Sequence, residues 1–212
     1  MLPNDRAYVL NSSNIVEDLE DMRRSGLALV LYFYFDFKDI KKQSRRALLS
    51  SLLVQLGAQS DPFCDILSRL YSSHEDGARQ PSDDSLMQCL KDMLILEGQS
   101  AVYIIMDGLD ECPKRPGMPS RREEVLEVIK ELVGLRLQSL HLCVTSRPEA
   151  DIRNVLGPLT SHSVSLQEEC GQKDEIIDYI KSVIGSDPTM LKWRPEDKHL
   201  VIETLSERAH GM

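Results

Sequence analysis

Apolar residues gather into short blocks along the chain, and the blocks follow two rhythms. Leu27 to Phe37 is apolar at nearly every position, the pattern of a strand covered on both faces in a parallel sheet. Ser44 to Gly57 carries Leu48, Leu49, Leu52, Leu53 and Leu56 at helical spacing and ends on a glycine. A second helix is predicted to begin at Asp61-Pro62, with Asp61 as the cap, and to place Ile66, Leu67, Leu70 and Tyr71 on one face. Ser72 to Asp84 has almost nothing apolar and reads as a loop. A helix over Ser85 to Glu97 follows, with Leu86, Leu90, Met93 and Leu94 on one face, and then a short apolar run ending at Asp107.

The second half repeats the alternation. Pro113, Pro116 and Pro119 forbid regular structure between Cys112 and Ser120. Arg121 to Leu137 is the clearest amphipathic helix, and Leu140 to Val144 the next strand. Ser146 and Glu149 stand in capping-box register with Pro148 between them, which predicts a helix start there. Ser161 to Leu166 alternates polar with Val164 and Leu166 and predicts one more short strand; helices are expected over Lys173 to Ile184 and Pro195 to Ala209. Trp193 lies between those helices and is expected to anchor packing. Strands alternating with helices predict a mostly parallel, doubly wound sheet with right-handed crossovers and ligands bound beyond the strands' C-terminal ends.

That geometry makes the strand tips informative. Val102-Tyr-Ile-Ile-Met-Asp107 is followed by Gly108-Leu109-Asp110-Glu111, the form of a Walker B segment. In such a segment a buried strand delivers one carboxylate to a metal, and acids just beyond orient an attacking water. The bland alternative for Asp110 and Glu111 is a solvated turn. Asp36 ends the first strand, and Arg147 ends the third beside a helix start, where a guanidinium can meet phosphate charge. Lys114 and Arg115 can reach an anion from the proline-rich loop, but a solvated loop is the favoured reading.

Composition narrows the function classes. A net charge of −9 without clustered Lys and Arg argues against nucleic-acid or membrane-surface binding. No apolar run approaches the roughly 20 residues of a membrane span, so a cytoplasmic protein is expected. The five cysteines are widely spaced, form no C-x-x-C and suit a reducing compartment. No histidine stands at metal-ligand spacing, which leaves a metal-dependent hydrolase built on Asp107, Asp110 and Glu111 without the further ligands it needs.

Tyr32-Phe-Tyr-Phe-Asp-Phe37, Ile104-Ile-Met-Asp-Gly-Leu-Asp-Glu-Cys-Pro113 and Val144-Thr-Ser-Arg-Pro-Glu149, in this order, resemble the NACHT domain of STAND-class P-loop NTPases. The likeness is to the nephrocystin-like N-terminal type found in fungal proteins that continue into ankyrin or WD40 repeats, and it runs from about Asn11 to Met212. It implies an α/β, P-loop NTPase-like three-layer sandwich over residues 1–168 and the start of a helical extension over 169–212. It also implies Mg²⁺ and ATP or GTP as cofactors, Asp107 as the metal residue, Asp110 and Glu111 as the acids that position water, and Arg147 as the nucleotide-sensing residue. The partners implied are other NACHT or STAND chains, with a repeat domain downstream in full-length relatives.

One family element does not appear in the sequence. Gly-x-x-x-x-Gly-Lys-Ser/Thr should precede a helix like Ser12 to Leu19, and Ala7, Tyr8 and Val9 stand where its last three residues belong. The backbone, lysine and hydroxyl of that loop cradle phosphates and metal, so this chain is expected to be a fragment of a nucleotide-dependent switch that neither binds nor hydrolyses ATP alone. The alternative expectation is a non-catalytic module that associates with intact NACHT proteins. The sheet is also expected to lack a central strand, leaving two unpaired edges facing each other.

Overall fold

The computed structural model describes residues 19–114, 120–165 and 170–208. It divides into two compact units, Ser12–Ser161 and one that includes His162–Met212.

The larger unit is built on a three-stranded sheet in the order β1-β2-β3, with β1 Ala28–Tyr34, β2 Ala101–Asp107 and β3 Leu140–Val144. Both pairings are parallel; Tyr34 stands opposite Asp107, and Met106 opposite Val144. The α/β class and parallel sheet expected from the sequence are therefore present. The expected gap is not: β2 pairs directly with β3, so the sheet is continuous and its edges face outward on either side.

Alternation along each strand decides which face is buried. Leu31, Phe33, Val102, Ile104 and Met106 point into the main core, where α1 (Arg45–Gly57), α2 (Asp61–Ser72), α3 (Asp83–Leu94) and α4 (Arg121–Gly134) contribute Leu48, Leu52, Phe63, Leu90, Met93 and Val128. Each such fully buried side chain contributes roughly 1.5–3 kcal/mol. The opposite face holds a smaller cluster of Ala28, Val30 and Ile105, partly covered by Leu19 and Met22 from the helical residues 19–24. Tyr32, on that face, remains 41% exposed.

Caps set the helix starts, and three differ from expectation. The side chain of Ser44 accepts from Ala47 N–H, and Ser120 forms a full capping box with Glu123. Ser60, not Asp61, is the N-cap of α2, so Asp61 lies inside the first turn. The third helix begins at Asp83 because Ser82 caps it through the Ser85 N–H. Helix α5 (Ala150–Leu156) has Glu149 as its N-cap with no side-chain cap bond, so the Ser146 capping box does not form.

Residues 161–165 are exposed and are not a strand; Leu166 lies outside the described residues. In the second unit α6 (Cys170–Ser186) and α7 (Pro195–Arg208) pack on each other with Ile184 buried, while Trp193 is 37% exposed and anchors less than its size suggests. Among the described residues no helix is long and apolar enough to cross a membrane.

Candidate functional site at the strand tips

The strand tips bring two sequence motifs into hydrogen-bonded contact. Asp107 is the last residue of β2, and its Oδ1 accepts from the Thr145 hydroxyl at 2.6 Å. The same hydroxyl oxygen accepts from Gly108 N–H at 3.0 Å. Beside it, Thr145 N–H donates to Met106 C=O at 2.9 Å and Leu109 N–H to Thr145 C=O at 3.0 Å, so the β2–β3 ladder runs past Asp107 into the turn. Gly108 adopts φ +71° there, a left-handed conformation that glycine takes without a Cβ penalty. Tyr34 lies across from Asp107, and burial together with the Asp107 charge pushes its phenol up.

The two acids beyond the turn diverge. Asp110 Oδ1 accepts from the main-chain N–H of Arg147 at 2.9 Å, and its Oδ2 lies 3.4 Å from Arg147 Nε. The Asp110 carboxyl is 11% exposed and the Arg147 side chain 82%, so the guanidinium reaches into solvent while its backbone is tethered. Glu111 Oε2 instead accepts from Phe37 N–H at 3.1 Å, tying the loop after β1 to the loop after β2. Asp36 Oδ1 accepts from Lys38 N–H at 2.8 Å in a local turn. Two buried groups reinforce the same seam: Gln43 Nε2 donates to Asp36 C=O at 2.8 Å, and Cys112 Sγ donates to Gln43 C=O at 3.3 Å. Burial raises the Cys112 thiol to about 11.

Arg122 holds the rim from beneath. It is 4% exposed, and its guanidinium donates to Cys112 C=O at 2.8 Å, Asp110 C=O at 2.6 Å, the Glu149 carboxylate and Asp151 Oδ2 at 3.2 Å. Burial alone would lower its pKa, but the hydrogen bonds and charges of Glu149 and Asp151 raise it above the ordinary arginine value. Burial would likewise raise the Asp151 carboxyl, yet its own backbone N–H, Arg122 and Lys114 together hold it below the ordinary value. Lys114, 3.6 Å from Asp151, is thereby engaged in an ion pair; Arg115 lies outside the described residues.

A sequence reading oriented to motifs passes over Thr145 and Arg122. Arg122 did leave a signal, because it stands in helical register with Val125, Leu126 and Ile129, a lone charge on the buried stripe of α4. Thr145 leaves none beyond its place at the end of β3.

The sequence pattern of the family described as Nephrocystin 3, N-terminal, matches residues 9–147, which is 139 of the 212 residues and takes in β1, β2, β3, the acidic turn and Arg147. The chain belongs to the nephrocystin 3 N-terminal family. No curated protein and no solved structure gives a match. The nephrocystin 3 N-terminal domain is a NACHT-related type, in keeping with the resemblance carried by its three motifs.

For a divalent cation the turn offers a sparse donor set. Asp107 and Glu111 each keep one carboxylate oxygen beyond the one bonded to Thr145 or to Phe37, while both oxygens of Asp110 face Arg147. Among the described residues no three His, Cys, Asp or Glu side chains group as a metal cage. One or two carboxylates suit Mg²⁺, which keeps most of its waters and takes its other ligands from substrate phosphates. Two cavities of this unit, about 260 and 460 Å³, are lined by other residues, among them Tyr103, His141 and Cys143 in the smaller and Arg23, Gln59 and Ser100 in the larger.

Proposed function

We propose that this chain carries the metal-binding and sensing elements of a nucleotide-dependent signalling switch. The observation that carries the reading is the joined tip of β2 and β3, where Thr145 holds Asp107 and Asp110 holds the backbone of Arg147. In this reading Asp107 supplies the protein ligand to Mg²⁺ carried by ATP or GTP, and the ion would neutralise developing phosphate charge. Arg147, tethered at its N–H with its guanidinium exposed, meets the terminal phosphate. Asp110 and Glu111 then work by positioning: one aims Arg147, and the other couples the metal-bearing turn to the loop after β1. Phosphate arriving at Arg147 competes with Asp110 for the guanidinium and so changes the link between the two turns, which is the coupling a switch needs.

The sequence offers no Gly-x-x-x-x-Gly-Lys-Ser/Thr to cradle the phosphates, so affinity in this chain alone is weak. Calorimetric titration of MgATP into the purified chain is expected to show no saturable binding in the micromolar range. Micromolar affinity would overturn that reading.

A second reading, a non-catalytic module that associates with NACHT-family chains, is favoured by the outer side of β3, where among the described residues no strand pairs with it. Association insensitive to nucleotide is its expected signature.

A further inference from the structure

The exposed guanidinium of Arg147 and the buried guanidinium of Arg122 share two partners. Asp110 gives its carboxylate to Arg147, with Oδ1 accepting from the Arg147 N–H at 2.9 Å, and its main-chain carbonyl to Arg122 at 2.6 Å. Glu149 gives its carboxylate to Arg122 and donates its N–H to Arg147 C=O at 2.8 Å. The four residues close a ring of contacts, from Arg122 to Asp110, Arg147, Glu149 and back to Arg122.

The side of the ring that carries Arg147 is stiff. The bond from Glu149 N–H to Arg147 C=O closes a three-residue turn around Pro148, whose pyrrolidine fixes φ. The Ser146 hydroxyl donates to the same carbonyl at 3.0 Å. Residues 147–149 thus move as one piece, and whatever holds Glu149 also sets where Arg147 stands.

Glu149 is also where α5 begins. It is the N-cap of that helix, its carbonyl accepts the Arg153 N–H at 2.9 Å, and its side chain does not cap the helix. The carboxylate is on Arg122 instead, and the same Nη1 reaches Asp151 Oδ2 at 3.2 Å in the first turn of α5. Bonds from a buried guanidinium to carboxylates are of the strong, charge-assisted kind. Ile152, one residue on, is buried in the main core, so the start of α5 is held by one charged grip and one apolar side chain. This helix is the last α-helix of the larger unit, whose residues end at Ser161.

We propose that Arg122 is a positioning residue for Arg147 and the latch through which a displacement of Arg147 reaches α5. This role presupposes that Arg147 senses phosphate, and it supplies the regulation of that site. Arg122 holds Asp110, which fixes the N–H end of Arg147, and Glu149, which fixes its C=O end. Phosphate that draws the Arg147 guanidinium off Asp110 leaves the segment held there by its backbone bond alone. Residues 147–149 then gain freedom, and the first turn of α5, built on Glu149, opens more often.

Residue-resolved amide hydrogen exchange of the full chain tests the latch, with Arg147→Ala as a nucleotide-free substitute for phosphate. Arg147→Ala is expected to speed exchange at the Arg153 amide about two- to fivefold, the span of an exposed ion pair. The increase is expected to vanish in Glu149→Gln and in Arg122→Lys, whose grip on the ring is already loosened. Glu149→Gln alone is expected to speed the Arg147 amide while the β2 amides keep their rates, because the Glu149 side chain is 40% exposed and carries little of the global stability. An Arg153 amide unmoved by Arg147→Ala, or moved equally in all three backgrounds, would overturn the latch. An Arg147 amide unmoved by Glu149→Gln would overturn the positioning role. Millimolar MgATP on the unaltered chain is expected to reproduce the effect of Arg147→Ala; if Arg147→Ala acts and MgATP does not, the sensing reading fails and the latch stands.

Discussion

Replacing Arg122 with methionine tests how the rim is held. The substitution keeps a long apolar stem and removes a guanidinium that is 4% exposed and bonded to two carbonyls and two carboxylates. Removing one partner of a buried ion pair costs about 3–5 kcal/mol, and each stranded buried carbonyl about 1–3 kcal/mol. The Glu149 and Asp151 side chains are 40% and 26% exposed, so water takes over much of their share. We expect a net loss near 3 kcal/mol, carried mainly by the carbonyls of Asp110 and Cys112. With a urea slope of about 2 kcal/mol/M, the unfolding midpoint falls by roughly 1.5 M, read by far-UV circular dichroism. Arg122→Lys supplies a single donor point and should recover only part of the loss. A loss below about 1 kcal/mol for Arg122→Met, at an unchanged slope, would refute the claim that this guanidinium organises the turns.

Three further outcomes follow from the same contacts. Thr145→Val, which is nearly isosteric, should cost about 1–2 kcal/mol in urea unfolding because it strands Asp107 Oδ1 and Gly108 N–H, whereas Thr145→Ser should cost little; equal costs would contradict the hydroxyl's role. The folded-state pKa of Asp151 is depressed, so its contribution to stability is present above the ordinary carboxylate range and lost as pH falls through the folded value. The melting temperature should therefore fall as pH drops below about 4, and fall less steeply in Asp151→Asn; parallel curves would contradict it. Cys89 and Cys112 are buried with thiols raised to about 11, while Cys64 is exposed. Thiol labelling at neutral pH followed by mass spectrometry should mark Cys64 long before either of them, and early labelling of Cys112 would show that the Gln43 seam opens.

Much of the fold was legible in the chain because its strands are short, dense apolar blocks. Leu140–Val144 and the run ending at Asp107 match their expected spans, and the acids fall at the strand tip as a parallel sheet requires. The failures have long-range causes. Val164 and Leu166 give the 161–166 segment an alternating pattern, but a strand also needs a neighbour to bond with, and alternation cannot show whether one is present. Ser146 and Glu149 have capping-box spacing, yet the Glu149 carboxylate is taken by Arg122 from another helix. Gln55 and Gln59 look like ordinary polar positions around the end of a helix; only the sheet edge beside them reveals that their amides bond the backbone of Tyr32 and Val30. At the site, the motif reading assigned types of chemistry to Asp107, Asp110, Glu111 and Arg147, and the geometry added that two of the acids already hold backbone N–H groups.

Mn²⁺ in place of Mg²⁺ tests the proposed role of Asp107 as the protein ligand of a nucleotide-borne metal. Electron paramagnetic resonance of Mn²⁺ is recorded with concentrated protein and ATP, for the unaltered chain and for Asp107→Asn, Asp110→Asn and Glu111→Gln. The expected result is a weak protein-bound Mn²⁺–ATP signal that Asp107→Asn removes and that the other two variants retain in part. A signal unchanged by Asp107→Asn would contradict it.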